Sequence, residues 1–217
     1  MIETILFDLD GTIIDTNEMI ITSFMRVFEQ GPKGPLKRED IIPHMGTTLE
    51  QQLQTFSGEE DVSTLVPLYR TYSNKYHDEM VRPFPYVNEV IEWLYAQGIS
   101  MGIVTTKIRP TTLMTLEKFD LEKYMSAVVT VNDVENPKPH PEPVLKAIES
   151  IGCNPQTTLM VGDSTVDIQS AKAAGVLAAG VAWSLKGEQV LRDCGADYIL
   201  KDMRDIYTIV GQKQQQE

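Results

Sequence analysis

Short apolar runs alternate with helical stretches along most of the chain. Residues 5–7 form a continuously apolar run, as expected of a strand that is buried on both faces of a sheet. Comparable runs predict further strands at residues 99–104, 127–131, 158–161 and 176–181. Helical spacing predicts helices around Val90–Leu94 and at residues 110–118, 141–150 and 168–174. This alternation predicts an α/β fold: a Rossmann-like, doubly wound parallel sheet with helices on both faces.

The segment from residue 16 to residue 81 has helical patterning and no convincing strand. Asp15 and Glu18 have the spacing of a capping box, which predicts that a helix starts here. Glycines and prolines in residues 31–35 end that helix, and helical spacing returns at 48–56 and 63–80.

Two domains follow from these patterns. We expect a core domain of residues 1–15 and 82–217, and an inserted all-helical domain of residues 16–81. The polar tail, residues 212–217, is expected to fray.

Composition and charge narrow the class of partner. The chain has 217 residues, with 19 Lys and Arg against 31 Asp and Glu, which gives a formal net charge of −12. This balance argues against binding to nucleic acid and to an anionic membrane surface. No stretch has the pattern of a signal peptide or a membrane span, so a cytoplasmic protein is expected. The two cysteines, Cys153 and Cys194, have no metal-type spacing and predict no disulfide framework.

Candidate chemistry begins directly after the first predicted strand, at Asp8-Leu9-Asp10-Gly11-Thr12. Open α/β sheets bind their ligands at the carboxyl ends of the strands, where Asp8 and Asp10 would lie. Two neighbouring carboxylates need a cation or protons to offset their repulsion. The sequence therefore predicts a Mg²⁺ site in which one aspartate also attacks phosphorus.

Other polar residues follow later predicted strands. The Thr105 hydroxyl and adjacent backbone N–H groups can hold a phosphoryl oxygen. Prolines on both sides of Lys138 stiffen the backbone, which favours a rigidly held ammonium group. Asp163 and Asp167 would complete, with the first two acids, a set of four carboxylates suited to Mg²⁺. Taken singly, these residues also fit structural roles, as a helix cap for Asp163 or a solvated cation for Lys138.

Together these motifs resemble the haloacid dehalogenase (HAD) superfamily of phosphohydrolases. The resemblance extends over nearly the whole chain and identifies the helical insert with the superfamily's helical cap of the first type. It is carried by Asp8-x-Asp10-Gly11-Thr12, Thr105, Lys138 and Gly162-Asp163-Ser164-x-x-Asp167.

The resemblance implies a role for each catalytic residue. Asp8 is the nucleophile that forms an aspartyl-phosphate, and Asp10 is the general acid and base. Thr105 binds the transferring phosphoryl group, and Lys138 orders Asp8 and offsets negative charge. The presence of Asp10 favours a phosphatase over the dehalogenase branch, which lacks a second aspartate at this position.

The resemblance also implies a cofactor and the groups that hold it. Mg²⁺ is the expected cofactor. Its ligands are the Asp8 carboxylate, the Asp10 backbone carbonyl, Asp163 and, directly or through water, Asp167. Thr106 and Lys107 are further candidates for contacts with phosphate, and Lys107 is a better candidate for a second phosphate contact than the cations of the insert.

Several stretches narrow the expected substrate. They include Gly102-Ile-Val-Thr-Thr-Lys107, Lys138-Pro-His-Pro-Glu-Pro143 and Lys186-Gly187, and they resemble the PpaX-type inorganic pyrophosphatases. The expected partner is therefore a small phosphate compound, either pyrophosphate or a phosphomonoester. The sequence does not fix the oligomeric state, monomer or dimer. A phosphoglycolate-phosphatase-like enzyme is the nearest alternative. A receiver-type signalling module, which also uses a phosphorylated aspartate, and a phosphomutase are more distant alternatives.

Other charged residues are interpreted as structural. Three histidines share no spacing and are expected at the surface or in loops: His44, His77 and His140. Three cations of the insert have positions from which they could meet a substrate, although most such charges are solvated: Arg70, Lys75 and Arg82.

Overall fold

A six-stranded parallel sheet forms the centre of the protein. The computed structural model describes residues 1–29 and 34–211. The strands of the sheet and two short strands beside it are β1 (Thr4–Phe7), β2 (Ile14–Asp15), β3 (Arg82–Pro83), β4 (Ser100–Val104), β5 (Ala127–Val129), β6 (Thr158–Gly162), β7 (Leu177–Val181) and β8 (Tyr198–Leu200). The order in the main sheet is β5-β4-β1-β6-β7-β8, and every neighbouring pair is parallel.

Ten α-helices lie within the described ranges. They are α1 (Asn17–Val27), α2 (Arg38–Ile41), α3 (Leu49–Ser57), α4 (Leu65–Met80), α5 (Val87–Ala96), α6 (Arg109–Lys118), α7 (Glu142–Ile151), α8 (Thr165–Ala173), α9 (Glu188–Asp193) and α10 (Asp205–Gly211). Two buried apolar clusters, one containing Phe7 and Ile103 and the other Leu6 and Val104, cover the main sheet. The predicted Rossmann-like α/β fold is confirmed. None of the helices described here is long and apolar enough to cross a membrane.

The register of the central strands brings the residues that follow them to one edge of the sheet. Phe7 at the end of β1 pairs with Ile103 of β4 and with Val161 of β6. The three strands therefore end at the same edge of the sheet. Because β1 is central, the residues that follow it are flanked on both sides by residues that follow its neighbours.

Helices α1 to α4 form a layer with its own apolar centre. Residues such as Phe24, Phe56 and Tyr69 make up this third buried cluster, and the rings of Phe24 and Phe56 meet edge to face at 5.0 Å. The chain leaves and re-enters the core through β2 and β3, which pair antiparallel. The separate cluster supports the predicted boundaries at residues 15/16 and 81/82, and the division into two domains stays a prediction.

Some local expectations differ from the structure. The N-cap of α1 is Thr16 rather than Asp15, because Asp15 belongs to β2 and its carboxylate accepts from the backbone N–H of Asn17 at 3.2 Å. Glu18 closes no capping box and instead pairs with Arg38 at 2.6 Å. Helix α1 ends at Val27, whereas part of the predicted break at 31–35 and the whole tail 212–217 lie outside the described residues.

Candidate active site

All six motif residues that predict catalysis lie at the carboxyl edge of the sheet, and five of them are buried there. Asp8 follows β1, Thr105 follows β4 and Asp163 follows β6. Lys138 comes from the loop between β5 and α7, and Asp167 comes from the first turn of α8. All five are buried.

Lys138 forms hydrogen bonds with acids from two different parts of the chain, Asp8 after β1 and Asp167 in α8. Its Nζ donates to Asp8 Oδ1 at 2.8 Å, to Asp167 Oδ1 at 2.6 Å and to the Val104 carbonyl at 2.8 Å. Three acceptors match the three hydrogens of the ammonium group, whose side chain is only 2% exposed. Burial alone would lower the pKa of Lys138, but Asp167 and Asp8 outweigh it and raise the pKa above its usual value. Lys138 is therefore a fixed positive charge beside Asp8.

Asp8, Asp163 and Asp167 form a buried group of carboxylates. Each offers an oxygen, and these oxygens lie within 4.8 Å of one another. Burial raises the pKa of Asp8 to about 7, with Lys138 opposing and Asp167 adding to the rise. Burial, with Asp167 and Asp8, also raises the pKa of Asp163 well above its usual value. The Asp163 carboxylate has no hydrogen-bond partner among residues 1–29 and 34–211. A buried, unpartnered carboxylate next to two others fits a hard cation such as Mg²⁺.

Local backbone structure fixes two of these acids. Ser164 is the N-cap of α8, and its N–H and hydroxyl both donate to Asp167 Oδ2, at 3.0 Å and 2.6 Å. Ser164 therefore caps α8, and Asp163 does not. Gly11 has φ +82°, and a Cβ at this position would lie 2.4 Å from Asp163 Oδ2. Only glycine allows the Asp163 carboxylate to approach the backbone after Asp10 so closely.

Asp10 turns its carboxylate away from the other acids. Its Oδ1 accepts from Lys107 Nζ at 2.9 Å, and both side chains are partly exposed. The Asp10 carboxylate is thus outside the close group of three acids. No hydrogen bond ends on the Asp10 carbonyl in the part of the chain that the structure describes, which leaves this oxygen free to act as the predicted metal ligand.

Two threonines follow β4 and differ in what they contact. Thr105 is 4% exposed, and its Oγ1 accepts from the Lys107 backbone N–H at 3.2 Å, so its hydroxyl hydrogen remains available to a phosphoryl oxygen. The Thr106 hydroxyl instead donates to the Gly46 carbonyl of the helical insert at 3.1 Å. Thr106 therefore joins the core to the insert, and its contact with phosphate stays a prediction.

Lys186 makes a second link between core and insert. Its Nζ donates to the Met45 carbonyl at 2.6 Å, and burial lowers the pKa of Lys186 while Asp163 and Asp167 oppose that change. Gly46, next to Met45, has φ +99°, and a Cβ there would lie 2.6 Å from Ser164 Oγ. The loop before α3 is thus packed directly against the edge of the core that carries the three buried carboxylates.

A cavity of about 140 Å³ lies between the sheet edge and the insert. It is large enough for several water molecules or a small phosphate compound. From the core it is lined by Asp8, Asp10, Thr105, Thr106, Lys107 and Asp163. From the insert, α4 adds Tyr69, Arg70, Ser73, Asn74 and His77.

The structure corrects the expected position of His77. This residue is 6% exposed, and its Nε2 lies 3.3 Å from Thr115 Oγ1 of α6, so it is neither in a loop nor at the surface. Burial, with Lys107 and Lys118, lowers the pKa of His77 despite the neighbouring Asp78. The signal that could have found it is spacing, because residues 70, 73, 74 and 77 share one face of a helix.

Comparisons with known proteins agree with this geometry. The sequence profile described as haloacid dehalogenase-like hydrolase matches residues 5–181. A protein named Pyrophosphatase PpaX from Bacillus pumilus (strain SAFR-032) is 44% identical over 212 residues, which cover 97% of each chain. A protein of the same name from Bacillus velezensis is 42% identical over 214 residues, which cover 98% of each chain.

A solved structure agrees as well. A protein from Bacteroides fragilis, assigned to the haloacid dehalogenase-like hydrolases, superposes with a TM-score of 0.84 at 30% identity. The match covers 95% of this chain and 100% of that one, so it includes both the sheet and the helical insert.

Proposed function

Because the chain belongs to the haloacid dehalogenase-like hydrolase family, we propose that this phosphohydrolase cleaves inorganic pyrophosphate into two phosphate ions. Support for this substrate comes from relatives named as pyrophosphatases that match over nearly their whole length. Support for the chemistry comes from one observation above all: Lys138 holds Asp8 beside the buried carboxylates of Asp163 and Asp167.

Asp8 is proposed as the nucleophile. Its Oδ1 is bound by Lys138, and its Oδ2 has no hydrogen bond among the residues described, so Oδ2 is the oxygen free to attack phosphorus. Attack forms the aspartyl-phosphate and breaks the bond to the bridging oxygen of pyrophosphate. Thr105 would donate its free hydroxyl hydrogen to an oxygen of the transferring group and thereby fix its orientation.

Asp10 is proposed as the general acid and base. In the first step it gives a proton to the leaving phosphate, and in the second it takes a proton from the water that attacks the aspartyl-phosphate. Lys107 binds the Asp10 carboxylate at 2.9 Å and so keeps it beside the cavity and apart from the three acids proposed to bind metal. The Asp10 carboxylate lies outside the group of three acids, which supports a role in proton transfer rather than in metal binding through its side chain.

Mg²⁺ is the proposed cofactor, with ligands from Asp8, Asp163, the Asp10 carbonyl and, directly or through water, Asp167. When bound, Mg²⁺ supplies positive charge against the phosphoryl oxygens. When ionised, Asp8, Asp163 and Asp167 carry more negative charge than Lys138 alone offsets, and a cation bound among them would offset part of the remainder.

The test is phosphate release from pyrophosphate, phosphoglycolate and a panel of sugar phosphates, with Mg²⁺ and with EDTA. We expect Mg²⁺-dependent release that is fastest, by kcat/KM, with pyrophosphate. Background release from pyrophosphate together with turnover of phosphoglycolate would replace the proposed substrate and keep the enzyme class. Detection of an isomerised sugar phosphate without phosphate release would indicate a phosphomutase. A long-lived phosphorylated Asp8 without turnover would indicate a signalling module.

A further inference from the structure

One face of α4 looks into the cavity opposite the catalytic acids. Arg70, Ser73, Asn74 and His77 recur at intervals of three and four residues, as the members of one helix face do, and all of them line the cavity. Asp8 and Asp10 line the same cavity from the core. A small ligand bound at Asp8 would therefore extend towards this face of α4.

The cations around the cavity differ in how they are engaged. Lys107 is paired with Asp10, and Lys138 with Asp8 and Asp167. Lys186 donates to a backbone carbonyl of the insert. Arg70 is half-buried, and within the ranges 1–29 and 34–211 its guanidinium group has no hydrogen bond and no ion pair. Among the described cations around the cavity, Arg70 is therefore the one whose charged group has no protein partner.

A half-buried guanidinium group has lost part of its hydration. Without a protein partner, no hydrogen bond or ion pair offsets this loss, and a bound anion would offset it. Guanidinium groups bind phosphate through two parallel hydrogen bonds. The Asn74 side-chain amide, one helical turn further along, has no hydrogen bond in the described chain and can donate beside it. The carboxylate that the insert adds to the cavity lining, Glu50, is exposed and therefore screened by solvent.

We propose that Arg70 binds the distal phosphoryl group of pyrophosphate, the group that leaves when Asp8 attacks. This inference rests on the proposed function, because only a substrate with an anion on its leaving side uses such a contact. The core side of the site is chemically suited to any phosphate compound. Arg70 would add selectivity for substrates whose leaving group carries its own negative charge, and would hold the bridging bond in line with Asp8.

Equilibrium binding separates this role from a structural one. The ligands are imidodiphosphate, a pyrophosphate analogue with nitrogen at the bridge, and orthophosphate, both measured by calorimetry with Mg²⁺ present. The variants are Arg70→Met, which removes the charge and keeps the bulk, and Arg70→Lys, which keeps the charge and loses the paired hydrogen bonds. The matched control is Lys75→Met, because Lys75 is an exposed cation of the same helix outside the cavity lining.

For Arg70→Met we expect imidodiphosphate binding to weaken about 30-fold, as for loss of a charge-assisted hydrogen bond, and orthophosphate binding to weaken about 3-fold or less. Arg70→Lys should fall between Arg70→Met and the wild type, and Lys75→Met should match the wild type. The kcat/KM for pyrophosphate relative to that for p-nitrophenyl phosphate, whose leaving group has no second phosphoryl, should fall in parallel.

Equal weakening of both ligands by Arg70→Met, or no weakening, would overturn the inference. A wild-type enzyme that binds imidodiphosphate but releases no phosphate from pyrophosphate would overturn the proposed function alone, since the two binding constants still decide the role of Arg70. A wild-type enzyme that does not bind imidodiphosphate would overturn both.

Discussion

Lys138 Nζ donates to Asp8 Oδ1 at 2.8 Å although the two residues lie 130 positions apart in sequence. The same ammonium group bonds to Asp167, so one buried cation serves two buried carboxylates. Removing one partner from such a network leaves charges that are buried without compensation. The arrangement therefore links the proposed chemistry to the stability of the fold.

Lys138→Met should be strongly destabilising, by about 3–5 kcal/mol, because Asp8 and Asp167 lose their common partner. Urea unfolding measures this cost. The control is Lys172→Met, which removes an ion pair with Asp197 whose lysine side chain is 43% exposed. That exposed pair should contribute about 1 kcal/mol or less. Equal costs for the two variants would contradict the account of Lys138.

Gly11→Ala should disturb the metal site through Asp163. Its Cβ would lie 2.4 Å from Asp163 Oδ2, so the carboxylate has to move. We expect Mg²⁺ affinity, measured by titration calorimetry, to fall about 10-fold or more, as for loss of support to a metal ligand. Gly175→Ala is the control, because Gly175 has φ +75° and open space around the position of a Cβ.

Both variants carry the strain of a left-handed alanine, of about 1–2 kcal/mol, and only Gly11→Ala carries the clash. The expected result is therefore a lower Mg²⁺ affinity in Gly11→Ala and wild-type Mg²⁺ affinity in Gly175→Ala, with the clash adding to the loss of stability in Gly11→Ala. Wild-type Mg²⁺ affinity in Gly11→Ala would show that Asp163 does not need its present position.

Thr106→Val should loosen the contact between the core and the insert. It removes the hydroxyl that donates to the Gly46 carbonyl, whereas Thr106→Ser keeps it. One such hydrogen bond contributes about 0.5–1.5 kcal/mol, so backbone hydrogen exchange at residues 45–49 should accelerate several-fold in Thr106→Val. Unchanged exchange, together with weaker orthophosphate binding, would instead indicate that the Thr106 hydroxyl binds phosphate.

His77 should make the fold less stable in mild acid. Its pKa is lowered in the folded protein, so the unfolded chain binds a proton more readily as the pH falls below about 6.5. Stability from neutral His77 is thus present at higher pH and is lost as the pH falls. The charged groups that act on it are Lys107 and Lys118, which favour the neutral form, and Asp78, which opposes them.

His77→Gln keeps an amide beside Thr115 and removes the titration. Urea unfolding at pH values from about 7.5 to 5.5 should show the wild type losing stability relative to His77→Gln as the pH falls. His140→Gln, at an exposed histidine, is the control and should follow the wild type. A constant difference between wild type and His77→Gln across this range would contradict the prediction.

Much of the fold could be predicted from sequence because its central strands are buried on both faces and therefore continuously apolar. The same signal predicts where the candidate site lies, since polar residues directly after such strands must lie at one edge of the sheet. The sequence pattern predicts neither strand β8 nor helix α9. Strand β8 has three residues and helix α9 has six, which is too short for a clear period.

The errors have non-local causes. Asp15 has the local pattern of an N-cap, but its pairing with Arg82 in the two-residue strands draws it into extended structure, and the helix starts later. The contact of Lys186 with Met45 joins residues 141 positions apart, which no local pattern reveals. Spacing groups His77 and Arg70 on one face of α4, but the local pattern does not reveal that this face meets the core.

The central claim is that Asp8 attacks phosphorus and carries the phosphoryl group. The most direct measurement is to quench the enzyme during turnover of pyrophosphate with Mg²⁺, reduce it with borohydride and analyse its peptides by mass spectrometry. Borohydride converts an aspartyl-phosphate into homoserine. The account predicts homoserine at position 8 during turnover, and none without pyrophosphate or in Asp8→Asn, which should fold but not turn over. Homoserine at another aspartate, or sustained turnover by Asp8→Asn, would contradict it.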